Sequence, residues 1–321
     1  MTPLPSCASL SIDLDNEWAY LKSRGDQRWR TYPSYLTLVV PRILALLRKR
    51  DVTITFFVVG KDAEYTGNHE ALASISAAGH EIGNHSLQHD LGMHRYTEEQ
   101  FRSELIEAEQ RLLEVTGQRP RGFRGPGFSY SDVTLRVLAQ HGYLYHASTL
   151  PSFLGPIART YHIWKSRLSH EERSQLRQLF GGWSEGLRPL KPYRWSLGHG
   201  SLIEIPVTTF PVIRFPIHLT YVMYLAGLSP RLAGAYFESA IGLCRLFQIE
   251  PSILLHPIEF MTGHDIPSLA AFPGMRLDER DKQALLESCL DCLQENWPVV
   301  SLERHAIAIA QRKDLPIFAR Y

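Results

Sequence analysis

Between residues 8 and 150, short apolar strand patterns alternate with helical ones, and this alternation limits the fold more than any other feature of the chain. Leu10–Asp15 sets Leu10, Ile12 and Leu14 against Ser11, Asp13 and Asp15, the period-two pattern of a strand. Val52–Val59 is a continuous apolar run rich in β-branched residues, as a strand buried on both faces requires. Glu81–Gly83, Gly122–Phe128 and Tyr143–Ser148 read as further strands or strand–loop units. Helical spacing fills the gaps. It runs over Tyr35–Arg50, where Pro41 predicts a kink or a division, and over Glu70–Ala78, which Gly79 stops. Thr97 and Gln100 form a capping box before a helix that Gly117 closes, and Ser131–Gln140 is a helix with Gly142 beyond its end. Strands and helices in such order predict parallel βαβ units, hence an α/β fold.

Beyond residue 150 the pattern blurs. One amphipathic helix is expected near Ser169–Leu179, and Leu202–Val207 reads as a strand. Residues 217–247 read as two apolar helical pieces broken at Ser229-Pro230, the kind of helix that is normally buried all round. Ser252–Leu255 is a strand running into His256-Pro257, Asp278–Asn296 a long helix, and Val299–Leu302 the last strand, with a short helix after it. We expect 1–321 to be a single catalytic domain carrying an enlarged helical insertion at about 150–247. The 321 residues suffice for a sizeable core, and 34 basic against 33 acidic residues leave no nucleic-acid footprint. Four scattered cysteines fit a reducing compartment rather than a disulfide framework. The N-terminus shows no signal-peptide pattern, and no window is long and apolar enough for a spanning helix. A cytoplasmic location is therefore expected, including the inner face of the membrane.

Several chemistry-bearing residues fall at strand ends, where α/β folds place their sites. Period two puts Asp13 and Asp15 on one face, and adjacent carboxylates call for a cation or a proton. His85 and His89 stand four apart; on one helical turn they would share a face and bind one metal ion. One carboxylate with two histidines makes a metal site with open positions, as catalysis needs. The other aspartate is then placed to act as general base on water. Arg124, on a Gly-Pro-Gly loop, can hold a carboxylate ionised and oriented, and a distal histidine such as His256 can protonate a leaving group. The sum is metal-assisted hydrolysis of an acyl bond, an amide in first place.

These segments resemble the motifs of the polysaccharide deacetylase family, also called the NodB-homology or carbohydrate esterase family 4 fold. The resemblance covers most of 8–150 and resumes near 202–260. It rests on Ser11-Ile12-Asp13-Leu14-Asp15, Thr55–Gly60, His85-Ser86-Leu87-Gln88-His89, Arg124-Gly125-Pro126 and Leu254-Leu255-His256-Pro257. It implies a distorted (β/α) barrel of mostly parallel strands, fewer than eight of them regular. It further implies Asp13 as base, Asp15, His85 and His89 as ligands of one divalent ion, zinc in first place, and His256 as acid. Arg124 would orient Asp13, and the backbone N–H of Gly127 would hold an oxyanion. The aspartate that usually partners the acid histidine is missing: the matching strand reads Tyr145-His146-Ala147-Ser148, which leaves Glu204 or Glu259 as substitutes. Trp18, Tyr20 and Phe128 are the candidate substrate contacts.

The expected activity is removal of an N-acetyl group from an amino sugar in a glycan, a glycolipid or a sugar metabolite. The alternatives are a deformylase or other C–N amide hydrolase, and a non-catalytic carbohydrate-binding protein of the same fold. A lipid-linked substrate and peripheral membrane contact rest on the apolar pieces at 217–247. Residues alone fix neither the sugar nor the oligomeric state.

Overall fold

The computed structural model describes residues 6–153, 186–198, 200–272 and 274–319. The helix expected near 169–179 lies outside them. The described strands are β1 (Ala8–Leu14), β2 (Thr55–Val58), β3 (Glu81–Asn84), β4 (Gly122–Phe123), β5 (Tyr145–His146), β6 (Tyr193–Ser196), β7 (Ser201–Glu204), β8 (Ser252–Leu255), β9 (Val299–Val300) and β10 (Ile317–Ala319). The described α-helices before residue 154 are α1 (Glu17–Ser23), α2 (Leu36–Lys49), α3 (Thr66–Ala77), α4 (Glu98–Thr116) and α5 (Asp132–Gln140). Those after it are α6 (Leu219–Ala226), α7 (Pro230–Leu246), α8 (Glu279–Gln294) and α9 (Leu302–Ala310).

Strands β8, β1, β2, β3, β4, β5 and β7 pair in that order, every neighbour parallel. The row bends back on itself. Beyond β7, the Thr208 N–H donates to the Ser252 carbonyl of β8 at 2.9 Å, and the Ser252 N–H donates to Thr208 Oγ1 at 2.7 Å. Two hydrogen bonds, not a strand ladder, close the ring, which makes it a distorted (β/α) barrel. Outside the ring, β6 runs antiparallel to β7, β10 pairs with β6, and β9 pairs with the start of β1.

The alternation in β1 sorts its side chains. Leu10, Ile12 and Leu14 face outward into the main core beneath α2, α3 and the 217–247 helices. Ser9, Ser11 and Asp13 take the inner face, where a second, smaller core of Phe57, Tyr145, Ala147 and Ile203 meets Leu302, Ala306 and Ile309 of α9. Helix α9 therefore fills the lower end of the barrel, and its His305 ring meets Ser9 Oγ at 2.9 Å.

Most expected elements form, with local corrections. Helix α2 passes through Pro41 undivided. The capping box of Thr97 and Gln100 and the left-handed Gly117 (φ 69°) bound α4 as the sequence predicts, since both devices satisfy orphaned end groups locally. Val299–Leu302 is not the last strand: β10 follows, three exposed residues too short to show a period. The two pieces at 217–247 are separate helices, α6 and α7, but neither is buried all round. Leu219, Val222, Met223 and Ala226 of α6, and Ala233, Phe237, Ala240, Ile241 and Cys244 of α7, are buried, while Tyr224, Leu232 and Leu246 are exposed. No described helix is long and apolar enough to cross a membrane.

One ion-pair cluster staples the barrel floor. Arg312, just past α9, donates both Nη atoms to the two oxygens of Glu250 at 2.7 Å each. The Cys7 N–H reaches the same carboxylate at 3.3 Å, and His305 Nε2 lies 3.5 Å from it. Burial alone would raise the Glu250 carboxyl; its contacts with His305 and Arg312 hold it well below the ordinary glutamate range. A depressed folded-state pKa adds stability above the unfolded-state value of about 4.3, and that stability drains away as pH falls below it. We expect Glu250→Gln to cost about 2 kcal/mol in urea unfolding at pH 7. The gap to wild type should narrow steadily as pH drops below about 4. A gap that is constant with pH contradicts this account.

Candidate active site and metal centre

Asp15 follows β1 directly, and His85 and His89 follow β3, so all three stand at the same rim of the barrel. Asp15 Oδ1 lies 3.3 Å from His85 Nε2 and 2.9 Å from His89 Nε2. The helical turn expected for His85–His89 does not form. The segment is a loop in which Ser86 (φ 66°) and His89 (φ 48°) adopt left-handed conformations. Side chains and neighbouring backbone hold it there. Asn84 Oδ1 accepts the Ser86 N–H, Ser86 Oγ accepts the His89 N–H, and Glu104 of α4 accepts those of Leu87 and Gln88. Lys22 donates to the Gln88 carbonyl, and the N–H groups of Gly60 and Lys61 donate to the carbonyls of Ser86 and Leu87. With its backbone so tied, the loop overcomes left-handed strain at two non-glycine residues.

The tautomer of His85 follows from its partner. Nδ1 stands 2.7 Å from the Arg124 carbonyl, which can only accept, so Nδ1 carries the proton and Nε2 presents its lone pair to the site. Asp15 Oδ1 and His89 Nε2 are buried and make no hydrogen bond. Three lone pairs converging without donors suit a divalent cation, and a two-histidine, one-carboxylate set is a common catalytic zinc arrangement. Burial would raise the Asp15 carboxyl, but the adjacent His89 and His85 rings hold it far below its usual range.

Asp13 sits one step deeper, its Oδ2 4.0 Å from His85 Nε2. Its other oxygen accepts from Arg124 Nη1 at 2.7 Å. The Arg124 guanidinium is fully buried; it also donates to Ser11 Oγ and to the Ala147 carbonyl, both at 2.8 Å, and lies over the Phe57 ring at 4.3 Å. The loop behind it depends on glycine: a Cβ on Gly125 would meet the Ser129 carbonyl at 1.9 Å. Gly127, at φ 55°, is exposed at the mouth, with Phe128 half-buried beside it.

His256 follows β8. Its Nδ1 is 3.0 Å from Thr220 Oγ1 of α6 and 3.6 Å from Glu259 Oε1. Glu259 also accepts the His256 N–H at 2.8 Å and the Thr220 hydroxyl at 2.6 Å. Of the two substitutes for the missing aspartate, the structure selects Glu259. Glu204 serves instead the buried His146 at 2.6 Å and the Trp195 indole at 2.8 Å. Burial lowers the affinity of His256 for a proton, but the Glu259 bond and the charges of Glu259, Asp13 and Asp15 outweigh it and push its pKa up to about 9.

The proposed substrate contacts divide. Tyr20 is half-buried, and Phe128 packs on Leu150, Val207 and Leu254. Trp18 is corrected: it is 1% exposed, and its indole donates to Asp62 Oδ1 at 2.8 Å. Its ring meets the His89 ring edge-on at 6.4 Å, so it braces a site histidine from behind instead of facing solvent. Sequence reading missed Asp62 altogether. Asp62 is buried, accepts also from Asn16 Nδ2 at 2.8 Å, and so fixes the turn directly after Asp15. Nothing local marks it, since its partners lie 44 and 46 residues away.

Against this geometry the comparisons are consistent. The family model described as polysaccharide deacetylase matches residues 27–146. A peptidoglycan deacetylase of Helicobacter pylori is 28% identical over 160 residues, 49% of this chain and 53% of that protein. A peptidoglycan-N-acetylmuramic acid deacetylase of Bacillus subtilis is 31% identical over 104 residues, 32% of this chain and 38% of that one. The chain thus spans about half the length of these curated relatives or less. A solved Mycobacterium smegmatis protein assigned to the polysaccharide deacetylases superposes with a TM-score of 0.64 at 19% identity, covering 99% of this chain and 96% of its own. Residues 27–146 are thus similar to the polysaccharide deacetylase family, and the fold is that of a solved protein assigned to it.

Burial raises the Asp62 carboxyl to about 7, against the pull of the Asn16 and Trp18 bonds. The unfolded chain then gives up this proton first, so stability is lost as pH rises from about 4 to about 7 and is level above. Asp62→Asn should remove that decline in chemical denaturation at stepped pH. An equal decline in the variant assigns it to other groups.

Proposed function

We propose that the protein is a zinc-dependent N-deacetylase acting on N-acetylated amino sugars of a glycan. The observation that carries this reading is the convergence of Asp15, His85 and His89, with the Arg124-held Asp13 on one side and the Glu259-backed His256 at the same rim. The names of the curated relatives support the substrate class. Asp15 Oδ1, His85 Nε2 and His89 Nε2 would hold the ion, and imidazole with one carboxylate suits zinc. A divalent cation there supplies Lewis acidity, which polarises a carbonyl and acidifies water.

The chain's own groups do the rest. Asp13 takes a proton from the attacking water, aimed by its hydrogen bond from Arg124. The water oxygen bonds to the acetyl carbon, and the Gly127 N–H stabilises the negative oxygen. His256, protonated at neutral pH, gives its proton to the sugar nitrogen as the C–N bond breaks. Acetate and a free amino sugar leave. Glu259 and Thr220 hold the His256 ring for this transfer.

Zinc-loaded protein incubated with N-acetylglucosamine oligomers and peptidoglycan fragments should release acetate and free amine in equal amounts. Rates on lipid-linked and free N-acetyl sugars separate a glycolipid from a polymer substrate, and formate in place of acetate marks a deformylase. Asp13→Asn should fold, keep its zinc and lose about 10²–10⁴-fold in turnover. No product from wild type, or a variant within a few-fold of it, overturns the reading.

A further inference from the structure

Lys282 of α8 is a buried cation that the proposed chemistry leaves unused. Its side chain is 2% exposed, and its ammonium donates to the carbonyls of Ile258, at 2.7 Å, and Met261. Met275 Sδ lies 3.8 Å away. No carboxylate of the described residues forms an ion pair with it. A buried charge solvated by two peptide carbonyls is costly to maintain, so it is informative to ask what those carbonyls belong to. They flank Glu259. The turn Pro257–Phe260 carries that carboxylate, and Lys282 grips it from both sides.

The grip reaches His256 through one peptide unit. The carbonyl of the Ile258–Glu259 peptide accepts from Lys282, and its N–H donates to the His256 carbonyl at 3.2 Å. The Glu259 carboxylate then turns back to the His256 N–H and toward the ring. Arg42 of α2 touches the same turn at the Phe260 carbonyl, but at 3.3 Å and while already paired with Asp265. An open cleft of about 290 Å³ lined by Arg42, Glu259 and Lys282 lies on the outer side. The side chains of Ile258 and Met261 are buried in the main core, and Lys282 ties the carbonyls of the same two residues to α8. In this chain the carboxylate partner comes from three residues past the histidine rather than from a neighbouring strand. A short turn lacks a strand's ladder, and an outside anchor takes its place.

We propose that Lys282 is a positioning residue for the acid: by clamping the carbonyls of Ile258 and Met261 it holds Glu259 against His256, and so sets His256 for proton delivery to the leaving nitrogen. The proposal rests on the deacetylase reading and adds to it a residue of α8, far in sequence from every motif. Protonation is needed for an amine leaving group but not for 4-nitrophenolate, which departs as a stable anion. Misplacing the acid should therefore slow amide cleavage and spare an activated ester. Loss of folded enzyme would lower both together.

The experiment compares Lys282→Met, Lys282→Gln and Glu259→Gln with wild type, all zinc-loaded. Each is assayed on an N-acetylglucosamine oligomer and on 4-nitrophenyl acetate, and each crystal structure is determined. Lys282→Met should lower kcat on the oligomer by about tenfold or more, with the ester rate and zinc content within twofold of wild type. Its combination with Glu259→Gln should be no slower than Glu259→Gln alone, because both act through one contact. Crystals of Lys282→Met should show the 257–261 turn displaced and Glu259 out of reach of His256. Equal losses on both substrates, or a crystal structure with Glu259 still within 4.0 Å of the ring, overturn the proposal. If Lys282→Met does not fold, Lys282→Gln carries the same tests. If wild type cleaves no oligomer the deacetylase reading fails, and the crystal structures still decide whether Lys282 holds the turn.

Discussion

The buried guanidinium of Arg124 is the contact on which the rest of the site depends. It crosses the barrel interior from the end of β4 to Ser11 and Asp13 on β1, two strands beyond its nearest neighbours, and ties down Ala147 after β5. Phe57 of β2 lies beneath it. Its main-chain oxygen also fixes the tautomer of His85. One residue thus orients the Asp13 carboxylate and the His85 ring and spans the strands that carry both. Taking a cation out of water is tolerable because Asp13 neutralises it and the oxygens of Ser11 and Ala147 also accept from Nη1 and Nε, while Nη2 is buried without a hydrogen bond. Removing either partner would leave a buried charge, so the fold itself requires the Arg124–Asp13 pair.

The barrel separates chemistry from stability along its axis. At the floor, Glu250, Arg312, His305 and Cys7 tie α9 to the starts of β1 and β8, an ionic staple built on the Glu250 carboxylate. At the rim, Asp15 Oδ1 and His89 Nε2 converge and find no donor. Both clusters hold groups of the kind that bind metals. What distinguishes them is the carboxylate: Glu250 already holds a bidentate arginine, and Asp15 Oδ1 accepts no hydrogen bond.

How much of this was legible in the sequence depended on how locally each feature is determined. Strand β1 follows from its alternation, and α4 and α5 from caps that act within a turn. His85 and His89 belong together as expected, but for another reason: Asn84, Ser86 and Glu104 bend the chain between them, and no helical spacing is involved. Trp18 carries the signature of a substrate-facing aromatic, yet a hydrogen bond to Asp62 draws it inward. That partner is distant in sequence, as are the partners of Lys282. Glu259 was in view as a substitute partner because it sits three residues from His256; choosing it over Glu204 needed the fold, which gives Glu204 to His146. Strand β10 lies outside the ring and is too short for a periodic signal, while β6 alternates over Tyr193–Ser196 but lies in the stretch where the pattern blurs.

The most direct test of the central claim is the zinc-loaded crystal structure with anomalous scattering at the zinc edge. The account predicts one ion bound by Asp15 Oδ1, His85 Nε2 and His89 Nε2, with Arg124 still bridging Asp13 and Ser11 and the His85 Nδ1–H still on the Arg124 carbonyl. Zinc bound instead at Cys7, Glu250 and His305, or an empty rim at saturating zinc, would contradict it.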